Sequence, residues 1–166
     1  MTAPRGRAQL LGALRRASER ALHPARRERR QGRTDYPGDF TGVLHPEYSP
    51  DLDGDPDPGE VVWTWVPYEE DPGRGKDRPV LIVGRDGRWL LGLMLSTVDH
   101  DAQPRHGDET WVDIGSGDWD TRRRASEIRV DRIIRVDPHA VRREGAVLDL
   151  PRFDLVTGSL ADARGW

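Results

Sequence analysis

Two short stretches of this chain carry residue types that could act on a phosphodiester. The first is Arg78, which stands before Pro79 where a loop gives way to an apolar run. A residue before proline is restricted to extended backbone, and the planar guanidinium donors match phosphate oxygens. The second is Arg129 and Asp131, two apart on a predicted strand and so on one face. A base and a cationic stabiliser could share one phosphate there. Cleavage of RNA without a metal can use the ribose 2′-hydroxyl against the adjacent phosphorus. It is helped by a base, by cationic donors for the phosphorane charge, and by protonation of the leaving 5′-oxygen. Plainer readings stand beside these. Arg78 could anchor its loop to Asp71 or Asp77, which local sequence alone favours. Arg129 and Asp131 could be part of an ion-pair ladder. Arginine holds its proton too tightly to be a good general acid, so charge stabilisation is the first role for Arg129.

Other chemistries find little support. The chain has no cysteine, which excludes disulfides, zinc–thiolate sites and cysteine nucleophiles and fits a reducing cytosol. His100 lies between Asp99 and Asp101, with His106 and Asp108 nearby, but these ligands crowd one polar loop without a defined spacing. No metal is expected. Asp51-Leu52-Asp53-Gly54-Asp55 suggests a calcium loop. Its glycine is fourth instead of sixth, and Val62 stands at the twelfth position that needs glutamate. No apolar run approaches a membrane span. Arg5 to Leu14 looks like a signal peptide only superficially, because its apolar stretch is short and Arg15-Arg16 interrupts it; the arginine-rich, acid-poor amphipathic start also resembles an organelle transit peptide, as a minor reading.

The secondary-structure elements that hold these residues are short. The 166 residues suggest one domain with an appendage. Apolar side chains concentrate in residues 59–98. Glu60–Val66, Val80–Val83, Trp89–Thr97, Thr110–Ile114 and Glu127–Val130 are predicted strands, with Arg132–Val136 either continuing the last or forming another. Asp86-Gly87 marks a tight hairpin. Pro138–Arg143 is predicted as a short helix capped by Asp137, and Pro151–Ala163 as a helix with Phe153, Val156 and Leu160 at helical spacing. Leu10, Leu14, Ala17 and Ala21 give a helix over 8–23. A small closed or half-closed β-barrel with packed helices satisfies this pattern because closure removes sheet edges. An open α+β sheet is the alternative. Most of Trp63, Trp65, Trp89, Trp111 and Trp119 read as core or interface, although Trp119 in its loop could stack on a base.

Charge is segregated along the chain. The net charge of −3 hides a basic extension at residues 1–33, net +8, and an acidic Pro/Gly/Asp-rich linker at residues 34–57, net −7. Residues 58–166 are left slightly acidic. Any nucleic-acid contact must come from a local patch. Lys76 is the only lysine, which points to a coding bias toward arginine before it points to function.

Gly59-Glu60-Val61-Val62-Trp63, a glycine-bearing loop and Arg78-Pro79-Val80-Leu81-Ile82-Val83 together resemble the start of the MazF/PemK-family toxins of type II toxin–antitoxin systems. The later Ile128-Arg129-Val130-Asp131-Arg132-Ile133-Ile134-Arg135-Val136-Asp137 resembles that family's arginine–aspartate strand. The resemblance covers residues 58–163. It implies a mainly β domain with α, an SH3-like barrel of the CcdB/MazF kind with a C-terminal helix, usually a homodimer. It also implies metal-independent cleavage of single-stranded RNA in the cytoplasm, no cofactor, and a cognate antitoxin as inhibitory partner. Carried over by position, it makes Arg78, Ser96, Arg129 and Asp131 the catalytic set. Lys76, Arg74, Thr97 and Arg132 become RNA contacts. Ser96 or Thr97 falls where the family has a polar strand-ending residue, and the plainer role for such a hydroxyl is to satisfy backbone. Some members have a histidine before the Arg78 position; Pro72 to Arg74 stands there instead, so that role is unfilled. The acidic balance of residues 58–166 motivates a rival of another class. A non-catalytic module of the same fold would bind RNA, DNA or protein without cutting, a gyrase-directed toxin being the narrower variant.

Overall fold

The computed structural model describes residues 36–99 and 109–166. The helix predicted over 8–23, and the histidines His100 and His106, lie outside the described residues. Among the described residues, seven strands follow Gly59: β1 (Glu60–Pro67), β2 (Gly75–Asp86), β3 (Trp89–Ser96), β4 (Trp111–Gly115), β5 (Ser126–Arg129), β6 (Ile134–Val136) and β7 (Arg143–Val147). A single-turn 3-10 segment at Pro138–Ala140 precedes β7, and helix α1 (Leu150–Arg164) closes the chain. All pairings are antiparallel, in the order β4-β5-β3-β2-β1-β7, with β6 also on β3. The sheet curls into a half-barrel. β3 explains part of the curl, because its first half pairs with β6 and its last residues pair with β5.

Alternation along the strands buries both faces. Val61, Leu81, Val83, Leu91, Leu93, Leu95 and Ile128 face one core, which α1 covers with Phe153, Val156 and Leu160. Val62, Val66, Val80, Ile82, Leu90, Ile134 and Val136 line a second core on the opposite face. The β2–β3 hairpin turns on Gly87 and Arg88 between the paired Asp86 and Trp89. Gly87 has φ +59°, the conformation a two-residue turn needs at its first position. Helix α1 contains the whole of the predicted Pro151–Ala163 helix and extends one residue beyond it at each end. Asp149 accepts from the Arg152 N–H at 3.1 Å, and Gly165 at φ +70° ends it.

Two elements differ from expectation. The helix predicted at Pro138–Arg143 stops after one 3-10 turn, since Val141 is already extended. The chain then enters β7, which pairs with β1. Local capping by Asp137 was legible; the sheet edge offered by β1 was not. Residues 36–58 have no regular secondary structure, yet they pack against the sheet and form one compact unit with it. Leu44 is in the first core, and Tyr48 packs on Phe153 at 5.0 Å between ring centroids. Tyr48 also donates to the Leu148 carbonyl at 2.9 Å, while Phe40 bridges to Ile133. Buried Glu60 accepts from the backbone of Asp51 and Asp57, which folds the acidic stretch back onto β1. No helix among the described residues is long and apolar enough to cross a membrane.

Candidate active site

Strand register places Arg78, Ser96 and Arg129 on one face of the sheet. Val80 pairs with Met94, Ser96 with Glu127, and Trp111 with Arg129. Facing residues in an antiparallel pair share a face, and so do residues two apart. Arg78 therefore shares the face of Val80, Met94, Ser96, Glu127 and Arg129. The β2–β3 ladder ends at Val80–Met94. Beyond it, β2 continues on β1 as far as Gly75, while β3 turns to β5. The sheet splits there, with Arg78 on one lip and Ser96 and Arg129 on the other. Gly75 lets the first lip close up, since a Cβ at that position would lie 2.3 Å from the Val66 carbonyl and against the Trp65 ring.

Arg78 is half-buried on β2, across from buried Thr64. The plainer reading gave it Asp71 or Asp77 as an anchor. Asp77 is instead held by Arg142 at 2.7 Å, and Asp71 Oδ1 accepts from the Gly73 N–H at 3.2 Å. Among the described residues, Arg78 has no ion-pair partner. Lys76 and Arg74, on the same lip, are exposed, with Arg74 over the Tyr68 ring. Lys76, two residues from Arg78, shares its face of β2.

Arg129 is in the opposite state. Its side chain is only 8% exposed and contacts three carboxylates. Asp131 accepts from Nε at 3.0 and 3.1 Å and from Nη2 at 2.7 Å. Glu69 meets Nη2 at 2.9 Å and Glu109 meets Nη1 at 3.3 Å. Burial pulls this guanidinium toward losing its proton. The Asp131 hydrogen bonds and the charges of Asp131, Glu69 and Glu109 outweigh that, so its pKa lies above the ordinary arginine value. Arg129 stays charged, which suits it to stabilise an anion and not to donate a proton. Asp131 lies just past the end of β5, at a bend, not on the strand as expected. Its carboxylate folds back to Arg129 and also accepts the Thr110 N–H at 2.8 Å. Glu69 belongs to the β1–β2 loop, so its ion pair crosses the split.

The remaining candidates take different places. Ser96 is buried, and its Oγ accepts the Val98 N–H at 3.2 Å, the backbone-satisfying role. Thr97 next to it is exposed. Arg132 is not a surface donor. It is 6% exposed, with Nε on Asp39 at 2.7 Å, Nη2 on Asp39 at 3.1 Å, and Nη1 on the Pro67 carbonyl at 2.9 Å. Trp119 is not available for stacking, since it is 1% exposed and donates to Ser126 Oγ at 3.1 Å. Among the described residues no cluster of three His, Cys, Asp or Glu side chains could hold a metal ion. Glu69 and Glu109 were missed in the sequence. The only signal was the number of acids in the β1–β2 loop, which says nothing about which one reaches Arg129.

A family model describing the PemK-like, MazF-like toxins of type II toxin–antitoxin systems matches residues 57–163. Solved structures show lower likeness. An endoribonuclease in complex with its cognate antitoxin from a mycobacterial species is 20% identical, covering 66% of this chain and 95% of that one at TM-score 0.48. The Mycobacterium tuberculosis toxin MazF-mt6 is 16% identical, covering 63% and 94%, at TM-score 0.41. The MazE–MazF complex of Deinococcus radiodurans is 15% identical, covering 67% and 96%, at TM-score 0.43. No curated protein sequence matches the chain. The family match spans well over half of the chain, from the first turn before β1 to the end of α1, and the chain belongs to the PemK-like, MazF-like toxins of type II toxin–antitoxin systems.

Proposed function

We propose that this chain is a toxin that cleaves single-stranded RNA without a metal, in the cytoplasm, under control of a cognate antitoxin and as a homodimer. The observation that carries the reading is Arg78. It is a half-buried arginine with no ion-pair partner among the described residues, on the same sheet face as Ser96 and Arg129. Holding a guanidinium there has a desolvation cost, and an incoming phosphate offsets it.

In the reaction, the ribose 2′-hydroxyl oxygen bonds to the adjacent phosphorus and the bond to the 5′-oxygen breaks. The products are a 2′,3′-cyclic phosphate and a 5′-hydroxyl. Arg78 and Arg129 take the charge that develops on the non-bridging oxygens. Asp131 takes the 2′-hydroxyl proton, and solvent protonates the leaving 5′-oxygen. In the resting protein Asp131 has its lone pairs on Arg129 and Thr110. It becomes a base as Arg129 moves to phosphate. Lys76 and Arg74 supply electrostatic attraction to the strand, Thr97 lines the rim, and Arg132 holds structure from within.

The test is incubation of the purified full chain with single-stranded RNA in chelator. Cleavage to cyclic-phosphate ends, lost in Arg78→Ala, is expected. No cleavage, or equal cleavage by the variant, overturns the reading. A second reading is favoured by the three carboxylates around Arg129, which together leave that cluster net negative. It is a binding module without turnover, and RNA binding with intact product-free RNA would select it.

A further inference from the structure

Residues 36–40 precede the span that matches the toxin family, yet they hold the turn on which the candidate catalytic pair sits. Three contacts converge there. Asp39 grips Arg132 through both carboxylate oxygens, at 2.7 and 3.1 Å, and the Tyr36 hydroxyl donates to Asp39. Phe40 donates its N–H to the Ile133 carbonyl at 2.8 Å. Arg164 of α1 donates to the Asp131 carbonyl and to the Phe40 carbonyl, both at 3.3 Å. Arg135 adds bonds to the carbonyls of Gly38 and Asp39, each at 3.0 Å. Arg132 and Ile133 are thus tied directly to Asp39 and Phe40, and Asp131 is tied to Phe40 through Arg164.

Arg132 also joins the two sides of the split. Its third donor reaches the Pro67 carbonyl at 2.9 Å, where β1 ends and the loop carrying Glu69 begins. The residue next to Arg132 is Asp131, which orients Arg129. One buried guanidinium therefore fixes both the Asp131 turn and the root of the Glu69 loop. Among the described residues, Asp39 is its carboxylate partner.

We propose that Asp39 is a positioning residue for the Arg129–Asp131 pair, acting through Arg132. The proposal rests on the functional reading above for its kinetic consequence, but its geometry can be tested without RNA. With Asp39 neutralised, Arg132 keeps a buried charge with weaker partners, and the Asp131 turn loses its fixed seat. The pair itself remains chemically intact.

The experiment uses the full chain and three variants: Asp39→Asn, Asp57→Asn, and the double Asp39→Asn with Arg132→Met. Asp57 forms a second ion pair of this segment, with Arg85 at 2.7 Å, and has no contact with Arg132 or the turn among the described residues. The primary readout is the NMR signal of the Arg129 Nε–H, which Asp131 protects from solvent exchange. Asp39→Asn is expected to shift this signal and speed its exchange by about tenfold. Asp57→Asn is expected to leave it unchanged. On RNA, Asp39→Asn lowers kcat by about ten- to a hundredfold with little change in KM, the pattern of a misplaced reacting group. If Asp39→Asn does not fold, the double variant gives the answer, because it leaves no buried unpaired charge. Wild-type Arg129 exchange in whichever Asp39 variant folds overturns the proposal, as does an equal change in Asp57→Asn. Altered Arg129 exchange in Asp39→Asn, together with a wild-type chain that does not cut RNA, would leave the positioning role standing and remove the proposed function alone.

Discussion

Glu69 sets the most informative perturbation of the site. Its carboxylate lies 2.9 Å from Arg129 Nη2, and its side chain is 56% exposed while that of Arg129 is 8% exposed. A phosphate that reaches Nη2 must displace it. Exposure on the glutamate side limits the worth of this ion pair to about 0.2–1 kcal/mol. A displaced carboxylate still stands near the phosphate. At a separation of about 6 Å in water that repulsion is about 0.7 kcal/mol, less with salt. Glu69→Gln removes both terms, and Glu109 and Asp131 still hold the guanidinium. The expected gain is about 1 kcal/mol, or about fivefold tighter RNA binding. The assay is fluorescence anisotropy with a short single-stranded RNA whose riboses are 2′-O-methylated, so that binding is read without cleavage. The gain should shrink as salt rises. Unchanged or weaker binding by Glu69→Gln at low salt would refute the claim that Glu69 competes with RNA phosphate.

Leu44→Ala deletes a core side chain from the segment before β1 and should cost about 2–5 kcal/mol in urea unfolding; a change near zero would mean that residues 36–58 are dispensable. A chain cut to begin at Pro58 should for the same reason show far lower thermal stability than the full chain. Asp120 predicts the acid limb of stability. The Arg124 side chain, outweighing burial and helped by backbone N–H groups of Arg124 and Arg122, holds its pKa well below the ordinary carboxylate value. The unfolded chain binds its proton more readily, so this contribution is complete above about pH 4 and is lost as pH falls below that. Asp120→Asn should flatten the change in unfolding free energy between neutral and acid pH, and an unaltered slope counts against it. Arg129→Lys keeps a charge but not the forked contact with Asp131, so it should lower RNA cleavage well below that of wild type while backbone NMR spectra stay dispersed.

Local patterns in this sequence act over a few residues, and what they decide is correspondingly local. Gly87 needs a positive φ, so the β2–β3 turn was legible. The predicted helix over Pro151–Ala163 falls within α1, and Phe153, Val156 and Leu160 mark its buried side. Pairing between distant segments was not readable in this way. Nothing near Arg143 announces that β1 has a free edge for β7. Nothing near Asp39 announces that Arg132, ninety-three positions away, needs a counter-ion; a Pro/Gly/Asp-rich composition signals solvation until Leu44 and Tyr48 find a core. Tertiary structure also decided which carboxylates meet which arginines. It gave Asp77 to Arg142, left Arg78 unpaired among the described residues, and closed Asp131, Glu69 and Glu109 on Arg129. Ion pairing depends on where side chains end in space and on how much water is removed there, and only the folded sheet sets those two things.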